Sequence, residues 1–161
     1  MFASITLEVL PMKPFRISSI IHMSYWDFFQ QYYKPLLQDI DILLKSMEGP
    51  ISVADAAKAL VMSEEITKDI LKDILLKEEI QLIDQKGFWD IAMHGNSHLC
   101  RLLQRQCLCG SPDIYSPEHI AYIYGLQTEH VTEVCKTNGY TEIFAQNLED
   151  ILNKIYIYIM Q

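Results

Sequence analysis

ISVADAAKALVMSEEITKDILKDILLKEEIQLIDQKGFWDI, residues 51–91, is the stretch whose reading decides the fold. Ser52 is placed to cap a short helix over VADAAKAL, because its hydroxyl can accept from the free N–H groups of the first turn. Val61-Met62 ends that helix, and Ser63 caps a second one over EEITKDILKDILLKEE. IQLID, the turn Gln85-Lys86-Gly87 and FWDI then read as a two-stranded ribbon. Two short helices that cross closely need a small residue at the crossing, supplied by Ala56 or Ala57. Leu60, Met62, Ile66, Ile70 and Leu71 are the expected apolar anchors, with Ile74 and Leu75 extending the stripe.

Upstream, Ser24 starts an aromatic helix in which Tyr25, Phe28, Phe29 and Tyr32 share a face, with Asp27 at its positive end. This cluster reads as core or dimer packing, or as a ligand pocket lined by Tyr25, Trp26 and Tyr32. Pro35 breaks or restarts the helix, and Leu36, Leu37, Ile40, Leu43, Leu44 and Met47 continue an apolar face to Gly49-Pro50. Residues 1–23 read as an N-terminal arm or a short hairpin, from the alternation of Ile5, Leu7 and Val9, resumed at Phe15 and Ile17. Met12 and Met23 are alternative starts.

Downstream, MHGNSH reads as a linker to a helix over roughly Leu99–Cys107, ended by Gly110, Ser111 and Pro112. Ser116-Pro117-Glu118 supplies an N-cap, a proline for the first turn and an acid at the positive end. HIAYIYGLQTEHVTEVCKTNGY then reads as a helix-turn-helix: Ala121 at the crossing, Gly125 relieving a positive φ in the turn, Val131 as anchor, Asn138-Gly139 as stop. Laid over the first unit, Ser52 matches Ser116, Ala57 matches Ala121 and Met62 matches Leu126. Ile66 matches Val131 once a residue is omitted after Glu65. In the tail, Leu148, Ile151, Leu152, Ile155 and Ile159 fall on one helical face for docking or dimerisation, with IYIYIM as an alternative strand.

The order helix, helix, turn, helix, ribbon is that of a winged helix. Residues 36–91 resemble the winged helix domain of bacterial regulators, and residues 115–139 resemble a helix-turn-helix. The expected fold is therefore mainly α: a winged helix-turn-helix with a small β-ribbon, followed by a second helix-turn-helix-like helical unit. The expected divisions are an arm at 1–23, a winged helix domain with its leading aromatic helix at 24–92, and a helical domain with a docking helix at 93–161. Two such units on an acidic chain are also similar to the segregation and condensation protein B family. That likeness implies paired winged helices that bind a protein partner instead of DNA.

Charge bears directly on that choice. The chain has 161 residues, 13 Lys+Arg against 21 Asp+Glu and a net charge of −8, so it repels phosphate backbones unless its cations gather on one face. Helix-turn-helix units read DNA through the second helix. The expected contacts are Gln127, Thr128, Thr132 and Lys136 in the second unit, Lys68 and Lys72 in the first, and Lys86 at the ribbon tip. Both reading helices lack Arg and mix acids with their cations. Two roles follow: transcription-regulator-like DNA binding as a cytoplasmic homodimer, or an acidic adaptor for a protein partner.

His94, His98, Cys100, Cys107 and Cys109 form H-x3-H-x-C-x6-C-x-C, whose imidazoles and thiolates suit zinc. Cys107-Leu108-Cys109 resembles the C-x-C of metal-sensing winged-helix repressors, which implies a metal-responsive sensor using His94, His98, Cys107 and Cys109; in that family the pair lies on the DNA-reading helix, whereas here it follows the ribbon. The other reading is of reduced thiols and solvent histidines with no cofactor. No G-x-G-x-x-G, G-x4-G-K-[ST] or G-x-S-x-G is present, so no enzyme is expected. No stretch is long and apolar enough for a membrane span, so no membrane association is expected.

Overall fold

The computed structural model describes residues 20–76 and 82–160. The hairpin predicted at residues 5–17 and the Ile80-Gln81 start of the ribbon lie outside them.

Strand β1 (Ile20–Ser24) leads into α1 (Tyr25–Phe28), a π-helical turn (Phe29–Tyr33) and α2 (Lys34–Ser46). Of the two readings of Pro35, the structure takes the restart: it sits in the first turn of α2, and the π turn before it accommodates a residue that cannot donate to the preceding turn. There follow β2 (Ile51–Ser52), α3 (Val53–Ala59), α4 (Glu64–Asp69) with a second π turn (Ile70–Ile74), β3 (Leu82–Ile83) and α5 (Gln85–His94). The second half holds α6 (His98–Cys109), α7 (Pro117–Tyr124), α8 (Thr128–Thr137), α9 (Leu148–Asn153) and β4 (Tyr156–Met160). The protein is mainly helical, with two small antiparallel pairs, β1–β4 and β2–β3.

The predicted ribbon is corrected. Leu82–Ile83 is a strand, but it pairs with Ile51–Ser52, and FWDI belongs to α5. Asp84 decides this locally: its carboxylate accepts from the Gly87 N–H at 2.7 Å, turning the supposed hairpin loop into a helix start. Phe88, Ile91 and Ala92, at helical spacing, are then all buried.

The tail takes the alternative strand at its end, and only the extension of the helical face to Ile159 is corrected. Helix α9 stops at Asn153, and Tyr156–Met160 pairs with Ile20–Ser24, so Ile159 does not share the helical face of Leu148, Ile151 and Leu152. Alternating β-branched and aromatic residues favour the strand. The Tyr25 N–H, donating 2.7 Å to the Ile155 carbonyl, locks the corner.

The two helix pairs, α3–α4 and α7–α8, match more closely than the sequence indicated. From Ile51 and Tyr115 to Thr67 and Val131 the equivalent positions are 64 residues apart, without a gap. The Ser52 and Ser116 hydroxyls both cap their helices, and Met62 and Leu126 donate to the Ala57 and Ala121 carbonyls at 2.9 and 2.8 Å. Thr67 and Val131 then donate to the Ser63 and Gln127 carbonyls at 3.1 and 3.2 Å. Thr67, not Ile66, is therefore the counterpart of Val131: both are 0% exposed, whereas Ile66 is 36% exposed. Burial of Thr67 is tolerated because its hydroxyl donates to the Ser63 carbonyl at 2.9 Å. The likeness extends outward, as Ile51 pairs with Ile83 and Tyr115 bridges Ile143.

Gly125 caps α7 at φ +67, where its Cβ would have only ordinary contacts with Arg105. The cost of Gly125→Ala is thus backbone strain, expected at about 1–2 kcal/mol in urea unfolding.

Two cores result. Ile40, Leu60, Phe88 and Ile91 centre the first, and α6 closes it through Leu99, Cys100 and Leu103. Ile120, Val131, Ile151 and Leu152 centre the second, and Tyr25 of α1 joins them. Both faces assigned to dimerisation, the aromatic helix and the tail, are thus largely covered within the chain.

Candidate partner-binding faces and the predicted site residues

Helix α4 starts at Ser63, whose hydroxyl accepts from the Ile66 N–H at 3.2 Å. Glu64 and Glu65 occupy the first turn, and Asp69 and Asp73 follow on exposed positions. Lys68 is held by Glu64 at 2.7 Å, so its charge is locally matched. Lys72 is exposed in the π turn between Leu71 and Asp73. Thr67 faces inward, while Ile66 is exposed beside the charged positions of α4.

Helix α8 presents a shallow groove lined by Thr128, Glu129, Thr132, Glu133, Lys136 and Thr137. Thr128, Thr132 and Lys136 recur every four residues and form one stripe, with Gln127 exposed at the N-cap. The structure therefore brings these predicted contacts together, with Glu129 and Glu133 interleaved. Lys86 departs from its predicted place. It lies in the first turn of α5, paired with Asp90 at 2.8 Å, and that hydrogen bond and the Asp90 charge raise its pKa.

The His/Cys set is spread out. His94 ends α5 with Nδ1 2.8 Å from the Asp90 carbonyl, and His98 opens α6, which Cys107 and Cys109 close. Nine residues of helix put roughly 14 Å along the axis between His98 and Cys107. Cys100 is buried beneath Leu60 and Met62, which pushes its thiol pKa up. Among the described residues no cluster of three or more His, Cys, Asp or Glu is arranged to hold a metal.

Arg105, which sequence reasoning left without a role, joins the two units. Its Nε donates to the Ile123 carbonyl at 3.0 Å near the end of α7, and its charge lies close enough to Tyr25 and Tyr33 to oppose the rise in their pKa that burial causes. Only its rarity, as one of three arginines on this chain, could have singled it out.

Among the described residues no helix is long and apolar enough to cross a membrane. Compared with known proteins, the chain matches no family model, no curated protein and no solved structure.

Proposed function

We propose that this chain is a non-catalytic adaptor whose paired helix-turn-helix units bind a cationic protein segment in preference to duplex DNA. The observation that carries this reading is the composition of the two exposed second helices. Glu64, Glu65, Asp69 and Asp73 face outward on the first, against Lys72 and a Lys68 already matched by Glu64; Glu129 and Glu133 flank Lys136 on the second. Phosphates would meet mostly carboxylates there. The helix at Gln85–His94 stands where a winged helix would project a ribbon, and Lys86 on it is paired with Asp90. Exposed Ile66 and Ile74 beside Asp69 and Asp73 suit a segment with both cationic and apolar side chains.

The test is a paired titration. Lys/Arg-rich amphipathic peptides are expected to bind with an affinity that falls as salt rises, and Glu65→Lys with Asp69→Lys should weaken that binding at least about tenfold. A mixed-sequence duplex pool should show no saturable binding even at low salt. Saturable duplex binding would overturn the adaptor reading in favour of a DNA-binding regulator. The stripe of Thr128, Thr132 and Lys136 supports that second reading, under which Gln127→Ala and Lys136→Ala would weaken the complex.

A further inference from the structure

Between the long N-terminal helix and the first helix-turn-helix lies a cleft of about 370 Å³. Phe28, Tyr32, Tyr33 and Leu36 form one side, and Val61 and Leu99 the other. Ser97 and His98 complete the lining, and no Asp, Glu, Lys or Arg contributes. A charge-free wall is conspicuous on a chain with 21% charged residues. The Ser97 hydroxyl donates to the Leu60 carbonyl at 2.6 Å, so Tyr32, Tyr33 and His98 are the lining residues that bring further polar groups.

Two further features meet here. The π turn Phe29–Tyr33 rotates the aromatic side chains relative to a regular helix and sets Tyr32 against Phe28, ring centres 4.9 Å apart, with Tyr33 edge-on at 5.6 Å. Val61 has φ +55, a region that a β-branched residue adopts only under strain. In the second unit the same turn position is Gly125, at φ +67 without strain. A glycine would relieve the first turn as well, yet the valine puts its side chain into the cleft wall. Strain retained beside a cavity is a mark of a working site.

We propose that this cleft binds a small, neutral, flat aromatic or apolar molecule, held between the Phe28/Tyr32/Tyr33 cluster and Val61. The volume lies at the lower end of the range for ligand sites, suiting about three aromatic rings. An uncharged lining neither matches nor rewards a formal charge, so neutral guests are preferred. The site is separate from the acidic faces of α4 and α8, and does not depend on their role.

The neutral dye N-phenyl-1-naphthylamine, titrated into the full chain, tests this. Saturable binding at one site per chain is expected, with enhanced dye fluorescence. Tyr32→Ala should weaken it about tenfold by removing an aromatic face. Val61→Gly should weaken it several-fold while the thermal midpoint holds or rises. Neither side chain belongs to a core, at 42% and 53% exposed, and far-UV circular dichroism checks that each variant is folded. Non-saturable dye binding, or equal affinity in folded Tyr32→Ala and Val61→Gly, would overturn the proposal.

Discussion

Phe88→Ala is expected to destabilise the protein by about 3–5 kcal/mol, the range for removing a fully buried phenylalanine. Phe88 is 0% exposed at the centre of the first core, where α5 packs against Leu60, Leu71 and Leu99. The deletion removes the largest fully buried side chain among the described residues and leaves a void in the first core. Against a typical total of 5–15 kcal/mol this is a substantial fraction, and urea or guanidinium unfolding reads it directly. Trp89 is the internal control: it is exposed on the same helix, and Trp89→Ala should cost much less. Similar losses for the two variants would contradict the burial of Phe88 at the centre of the first core.

Gly95→Ala is the second, expected to cost about 2–3 kcal/mol by overpacking. Gly95 joins α5 to α6 at φ −69, so its backbone places no demand on glycine. The demand is spatial: a Cβ would overlap the Cys100 Sγ and lie 2.8 Å from the Met62 Sδ. Gln104 prevents an easy shift, since its Nε2 donates to the Ala92 and Gly95 carbonyls at 2.9 and 2.8 Å. Combining Gly95→Ala with Cys100→Ala removes the overlapping sulfur and should recover part of the loss, as expected of coupled neighbours. Strict additivity of the two losses would show that the corner relaxes without this clash.

Much of the architecture was legible because its signals are local. Ser52, Ser63 and Ser116 cap the helices assigned to them, and Gly125 takes the positive φ that its spacing required. The errors arose where a local pattern fits two periods. FWDI can be a β-strand or a helix face, and the Asp84 cap decides it only once the chain beyond Gly87 is helical. IYIYIM needed a partner strand more than 130 residues away before it could be a ribbon. Ile66 outranked Thr67 as an anchor on hydropathy, although a threonine that hydrogen-bonds back to its own helix can be buried at low cost. At the candidate sites, the α8 stripe was readable from i, i+4 spacing. The aromatic cleft was visible only in part: Tyr32 came from the sequence, but Val61, Ser97 and His98 come from elements that only tertiary packing brings to it.

The pairing of Ile20–Ser24 with Tyr156–Met160 makes this chain nearly a ring. Its units are not beads on a string. A cut between 92 and 93 would strip α6 from the first core and leave the second without Tyr25 and its partner strand. The natural way to reopen such a ring is to tie residues near Ile20 and Met160 together and place new ends in the largely exposed stretch Gly110–Asp113, because that circular permutant keeps the strand pairing and both cores among the described residues.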